Sequence, residues 1–237
     1  MRSNCIEALT AVRGIGTRKA SEIVRKYRIC DVTALRKLAE RKPAVLTHGQ
    51  MQGLAYHEDL AQRIPRDEVK RHAATVRRAL RPDLDVEAVH AAGSYRRGAP
   101  DSGDVDLVIA ATGRHAEVMD RIVSALSVGY LVTVISSGTS RLTAVVRLPG
   151  FKNHRQLDIL LCTPAELPFA LLYFTGSKEL NIVMRMIAAK KGYKLSQHGF
   201  SPKPRKSFES EKDIFDFLDL QYIPPKSRGD LKKLTHK

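Results

Sequence analysis

A chain of 237 residues that is 43% hydrophobic and 27% charged can bury one or two ordinary cores, which excludes a disordered or low-complexity protein. No run approaches the roughly 18–20 apolar residues that span a bilayer, and the first residues lack the basic-then-apolar order of a signal peptide, which argues against a membrane partner and against secretion. A formal net charge of +15 sets up a field that draws polyanions, nucleic acid first among them.

Proline and glycine divide the chain into three segments. Residues 1–66 read as all-helical, because Ile6, Leu9 and Val12, then Ala20, Ile23 and Val24, recur at helical spacing on either side of Gly14-Ile15-Gly16. Cys5 and Cys30 fall in this segment and Cys162 far from it. With no CxxC pair and no histidine at ligand spacing, all three are expected to be buried small hydrophobes, neither zinc ligands nor a disulfide framework. That usage fits a reducing, intracellular compartment, with nucleus and viral or host cytoplasm both open.

Residues 67–164 begin with a basic helix over 68–80, ended by Pro82, and continue as short β-rich runs at 86–92, 105–110, 131–135, 143–148 and 156–161. A helix over 115–125 sits between the second and third runs, so the segment predicts a mixed sheet with helices on it, an α+β (mixed α/β) fold. Residues 165–237 turn helical again over 166–172 and 180–190, then pass through irregular pieces to a basic tail, as expected of a small terminal lobe.

The informative stretch is Gly93-Ser94-Tyr95-Arg96-Arg97-Gly98, followed by Ser102-Gly103-Asp104-Val105-Asp106-Leu107. If 104–109 is a strand, Asp104 and Asp106 project from one face while Val105 and Leu107 enter the core. Paired carboxylates at one point are costly unless a cation holds them, and Mg²⁺ with its oxygen ligands fits that need. Gly-Ser before the pair offers backbone N–H groups and a hydroxyl to a triphosphate, and Arg97 adds a planar cationic fork. Asp158 lies alone among Leu and Ile in another strand-like run, and a neighbouring strand could bring it beside the first two. Three acids and two metals are the parts of two-metal phosphoryl transfer. An isolated Asp-x-Asp is more often a solvated turn, but the preceding Gly-Ser and the following apolar run argue against that here.

These residues resemble the nucleotidyltransferase superfamily, and within it GSYRRGAPDSGDVDLVI is similar to the catalytic signature of family X DNA polymerases, the class of DNA polymerase beta. Tyr173-Phe174-Thr175-Gly176-Ser177, then Asn181 and Arg185, resembles that family's nucleotide-pocket motif and the helix after it. The likeness continues through SEKDIFDFLDLQYIPPKSR and LTHGQMQGLAYHEDLAQRIPRDEV. It implies a catalytic palm over 67–164, a helix-hairpin-helix lobe that grips duplex and primer over 1–66, and a lobe over 165–237 that selects the nascent base pair.

By position, the resemblance implies that Asp104, Asp106 and Asp158 hold two Mg²⁺ ions, for which Mn²⁺ could substitute, with Asp158 suited to attract the primer hydroxyl's proton. It implies that Ser94, Arg97, Gly103 and, more weakly, Arg63 hold the triphosphate. Tyr173, Phe174 and the turn at Thr175-Gly176 would wall the sugar against a 2′-hydroxyl, while Asn181 would face the incoming base and Arg185 the template side. Val12-Arg13-Gly14-Ile15-Gly16 resembles the hairpin, in which Gly14 and Gly16 permit close backbone approach to DNA and Lys19, Arg25 and Lys26 meet phosphates. The family also holds a monovalent cation, Na⁺ or K⁺, through backbone carbonyls at positions matching Thr10, Val12 and Ile15.

The expected substrates are a deoxynucleoside triphosphate and gapped or nicked double-stranded DNA, the expected role short-gap filling in base excision repair, and the expected state a monomer. The beta type carries a lyase domain ahead of the hairpin at which this chain begins, so weak or absent deoxyribose-phosphate lyase activity is expected. Gln156 stands where the family commonly has Arg beside the third acid, with Arg155 as the candidate to supply the charge, and Lys178 stands where the beta type has Asp. The short link at 136–140 is closer to templated members than to terminal transferase. The competing readings are a template-independent or RNA-directed nucleotidyltransferase and a non-catalytic DNA-binding module.

Overall fold

The computed structural model describes residues 2–80 and 85–229. Pro82 and the end of the basic tail lie outside the described residues. The first part is helical: α1 (Arg2–Thr10), α2 (Thr17–Tyr27), α3 (Val32–Arg41), α4 (His48–Ala55) and the short α5 (His57–Leu60). The local signals are plain. Asp31 caps α3 by accepting from the Ala34 N–H at 2.7 Å, and Thr47 and Gln50 form a reciprocal capping box at α4. Leu9, Val12, Ala20, Ile23, Leu35 and Leu54 close into one core.

One expectation fails in this lobe. Cys5 and Cys30 are joined by a disulfide rather than lying as separate buried thiols, and Cys30 is exposed. The helical hairpin returns the end of α2 to the start of α1, placing the two Cα atoms 4.1 Å apart across 25 residues of sequence. No spacing rule encodes that meeting, because it is made by tertiary folding. It also removes two of the three thiols on which the expectation of a reducing compartment rested. Cys162 is a buried free thiol, pushed up to about 12 by burial, as expected of a structural cysteine.

The central part is a five-stranded sheet of β2 (Val86–Ala91), β4 (Val105–Ala111), β5 (Leu131–Ser137), β6 (Arg141–Val146) and β7 (Arg155–Cys162) in the order β2-β4-β7-β6-β5. The β4–β7 pair is parallel and the others antiparallel, which makes the sheet mixed. Helices α6 (Arg66–Ala79) and α8 (His115–Leu126) cover one face, where Val76, Met119 and Ile122 meet Leu107, Ile109 and Ile159. A two-stranded ribbon of β1 (Ile64–Pro65) and β3 (Asp101–Ser102) joins this part, so Ile64 belongs to the sheet's core although it precedes residue 67. The Gly-Ser stretch forms a single helical turn, α7 (Gly93–Arg96).

The last part holds α9 (Leu167–Thr175), α10 (Lys178–Lys190), the ribbon β8 (Lys194–Ser196) with β9 (Gly199–Ser201), and α11 (Glu211–Phe217). Its aliphatic core, with Leu180, Met184 and Ile214, is joined by a run of aromatic rings in which Phe169, Phe200, Phe208 and Phe217 are linked by ring contacts. Helix α9 is apolar on both sides: Phe169 and Leu172 enter this core, while Ala170 and Leu171 pack on Val108, Ala110 and Leu160 of the sheet. It therefore covers the sheet face opposite α6 and α8, the face from which residues 106, 108 and 110 project.

Candidate active site

The sheet register assembles the acids. In the parallel β4–β7 pair Asp106 lies directly opposite Asp158, and Asp104 precedes β4 by one residue on the same side of the strand. One carboxylate oxygen from each of Asp104, Asp106 and Asp158 lies within 4.8 Å of the others. Among the described residues this is the acidic group that could hold a metal ion.

Crowding shows in the electrostatics. Burial and then the Asp104 and Asp158 charges push the Asp106 carboxyl well above its ordinary range, against the opposing pull of Arg97 and Arg13. Burial also raises Asp158, partly countered by two donors: Thr143 Oγ1 at 2.6 Å from Oδ1 and Gln156 Nε2 at 2.5 Å from Oδ2. Three hard oxygen donors whose mutual repulsion is only partly offset suit a divalent cation such as Mg²⁺.

Gly93 is required where it stands. Its φ is +52°, and a Cβ added there would meet Asp106 Oδ2 at 1.8 Å. The helical turn α7 can therefore lie against the carboxylate without a side chain between them. Ser94 donates to the Ser102 hydroxyl at 2.8 Å, tying α7 to β3 beside the acids. Arg97 donates to the Thr175 carbonyl at 2.6 Å. Gly103 lies between two guanidinium groups, with an added Cβ 3.2 Å from Arg63 and 3.8 Å from Arg13. Arg63 itself is bound to Asp101 at 2.6 Å.

Tyr173 and Phe174, in the last turn of α9, are stacked rings 6.2 Å apart, and the helix closes at Thr175 with Gly176 as its cap. Asn181 donates to the Tyr173 carbonyl at 2.8 Å, and Arg185 stands 5.3 Å from the Tyr173 ring. The expected nucleotide residues of the last lobe are thus gathered around Tyr173, joined by Arg141, 5.1 Å from the same ring. Arg96, quoted in the motif without a role, clamps α7 to this lobe: it donates to Thr175 at 2.8 Å and to Glu211 at 2.7 Å, while Arg228 reaches the other Glu211 oxygen at 2.7 Å. Burial alone would raise the Glu211 carboxyl, but the two arginines outweigh it and hold it below its ordinary value.

Arg155 does not supply charge to the site. It is buried against Glu68 of α6, Nε to Oε1 at 2.7 Å, because it projects to the opposite sheet face from Asp158. Gln156 takes the place beside Asp158 as a neutral donor, and its own Oε1 is buried with no partner among the described residues. Lys178 is exposed in the first turn of α10. Sequence reasoning missed Arg13, whose Nη2 donates to the Gly103 carbonyl at 3.4 Å, and Thr143. Neither carried a signal beyond its place in a motif or a strand.

On the hairpin, Gly14 lies in the turn and Gly16 caps α2. Lys19 pairs with Glu22 at 3.3 Å, Lys26 lies 5.4 Å from the Tyr27 ring, and Arg25 is exposed. The Val12 carbonyl accepts from the Ile15 N–H at 3.0 Å and the Thr10 hydroxyl donates to the Glu7 carbonyl.

Residues 63–164 match the family model "DNA polymerase beta palm" and residues 170–229 match "DNA polymerase beta thumb". DNA polymerase lambda of Rattus norvegicus is 34% identical over 210 residues, which is 78% of this chain and 36% of that protein. The chain spans between 36% and 53% of the length of curated relatives it matches. Two crystal structures of Leishmania infantum polymerase beta superpose on it. The ternary primer/template complex is 29% identical, covers 96% of this chain and 98% of that one, and has a TM-score of 0.86. The ternary gap complex is 28% identical, covers 97% and 90%, and has a TM-score of 0.87. With palm and thumb matched in order around a sheet whose register unites three aspartates, the chain belongs to family X of the DNA polymerases.

Proposed function

We propose that this chain is a DNA-directed DNA polymerase that adds deoxynucleotides to a primer 3′-hydroxyl and fills short gaps during repair. The observation that carries the reading is the convergence of Asp104, Asp106 and Asp158 within 4.8 Å, with Arg97 and Gly103 beside them. The net charge of +15 supports a nucleic-acid substrate, and the likeness to a polymerase beta solved as a gap complex supports gapped DNA.

In this reading the three aspartates hold two divalent cations, Mg²⁺ by preference. When bound, those cations would supply Lewis-acid stabilisation to the attacking and leaving oxygens. Asp158, raised by burial, draws the proton of the primer hydroxyl, and Thr143 and Gln156 keep its carboxylate oriented. Arg97, Ser94 and Gly103 bind the triphosphate, with Arg63 assisting once it leaves Asp101. Tyr173, Phe174 and Gly176 exclude a 2′-hydroxyl, Asn181 meets the base and Arg185 the template. The hairpin residues Gly14, Gly16, Lys19, Arg25 and Lys26 hold the DNA backbone, and the carbonyls of Thr10, Val12 and Ile15 hold a monovalent cation there.

The test is primer extension on gapped, recessed and single-stranded DNA with deoxy- and ribonucleotides. Magnesium-dependent, templated incorporation of deoxynucleotides is expected on gapped DNA. Asn at any one of the three aspartates should lower it by several orders of magnitude while DNA binding persists. Normal extension by such a variant refutes the assignment, and equal use of ribonucleotides or untemplated extension moves it to another nucleotidyltransferase.

A further inference from the structure

Helix α4 joins the hairpin turn to the sheet through its edge strand β5. Gly53 lies so close to Arg13 that an added Cβ would meet the Arg13 carbonyl oxygen at 2.0 Å, and Gly49 lies against β5, where the same addition would meet the Ile135 carbonyl at 2.3 Å. Between them Gln50 Nε2 donates to the Gly14 carbonyl at 3.1 Å. Two glycines one turn apart thus let a single helix touch both the hairpin and the sheet at backbone distance. Rigid contacts of this kind fix the origin of the Arg13 side chain.

That side chain crosses to the catalytic strand. Its Nη2 lies 3.4 Å from the Gly103 carbonyl and 3.9 Å from Asp104 Oδ2, linking positions 90 residues apart. The neighbouring Arg63 is engaged with Asp101, whereas among the described residues the acid within ion-pair distance of Arg13 is Asp104. Arg13 is therefore a cation delivered by the DNA-binding turn to a proposed metal ligand.

We propose that Arg13 is a positioning residue of the acidic site: it steadies Asp104 and competes with a divalent cation for it, which links metal occupancy to the placement of the hairpin turn. This rests on the reading of the triad as a metal site. A guanidinium this close repels a cation bound at Asp104, so its removal favours binding even in the absence of nucleotide and DNA.

The experiment is titration of the nucleotide-free and DNA-free protein with Mn²⁺, free ion being followed by electron paramagnetic resonance. Arg13→Gln, which keeps a donor for the Gly103 carbonyl and loses the charge, should bind Mn²⁺ about three- to tenfold tighter, and Arg13→Ala likewise. Arg13→Lys should return within about twofold of wild type, a rescue that a purely structural role would not give. Arg18→Ala, a change of the same charge on the exposed face of α2, should leave the affinity unchanged. Unchanged or weaker binding by a folded Arg13→Gln variant overturns this proposal alone, while absence of Mn²⁺ binding by wild type and by both Arg13→Gln and Arg13→Ala overturns the metal reading and the proposal with it.

Discussion

Replacing Asp106 by Asn should make the metal-free protein more stable while removing its response to magnesium. The three carboxylate oxygens lie within 4.8 Å of one another. At an effective dielectric of about 20, two charges at that separation repel by about 3.5 kcal/mol, and by about half that where water raises the dielectric to about 40. Asp106 takes part in two such pairs, and Arg97 and Arg13 offset a portion. A net gain of about 2 kcal/mol at pH 8 is therefore expected, which for a chain of this size raises the melting temperature by roughly 4–8 °C. The sign follows from linkage. A carboxyl raised in the folded state binds more protons there than in the unfolded chain, so wild-type stability in chelator declines as pH rises above the unfolded value of 3.8 towards the raised one. The Asn variant should lack that decline. Differential scanning calorimetry in chelator and in excess Mg²⁺, across pH 5–8, measures each part. If the Asn variant melts at or below wild type at pH 8 in chelator, or gains as much from Mg²⁺, the account of the site as a cation-seeking cluster is wrong.

Gly93→Ala should fold less stably and lose metal affinity, because its Cβ would fall 1.8 Å from Asp106 Oδ2 at a φ of +52°; Mn²⁺ binding equal to wild type would refute the need for that close approach. His72 is buried with its Nδ1 2.7 Å from the Tyr130 hydroxyl, and burial lowers it from 6.5 to about 4. Its contribution is complete above pH 6.5 and is lost as pH falls towards 4, about 3 kcal/mol in all, so denaturant titrations of wild type should show an acid slope that His72→Asn lacks. Reducing the Cys5–Cys30 bond frees a loop spanning 25 residues and should cost about 3 kcal/mol; a melting temperature indifferent to dithiothreitol, with both thiols then titratable, would refute that.

Strand-like runs at 105–110 and 156–161 were legible because β4 and β7 are covered on both faces and so are apolar almost throughout. The same uniformity made the two aspartates conspicuous. Helix ends were less legible: α9 runs to Thr175 rather than stopping near residue 172, since its apolar surface packs on two sides and gives no amphipathic edge to read. Arg155 and Gln156 show the limit of reading by motif. Residues 155 and 158 are three apart on one strand and face opposite ways, whereas 156 and 158 are two apart and share a face, so it is Gln156 that reaches Asp158 while Arg155 meets Glu68 of α6.

Local chemistry by itself determined much of this protein: where strands and helices form, that two aspartates share a strand face, that a glycine turn separates the first helices, and that the net charge favours a polyanionic partner. These follow from side-chain periodicity, backbone freedom and net charge, which act over a few residues or over the whole chain. Tertiary structure decided what meets across long separations: Asp158 opposite Asp106, Cys5 bonded to Cys30, Glu211 between Arg96 and Arg228, and Arg13 beside Asp104. Such meetings depend on strand order and on how α4 and α9 seat the two helical lobes against the sheet. A register shift of one residue would turn Asp158 to the other face while leaving every local signal in the sequence unchanged.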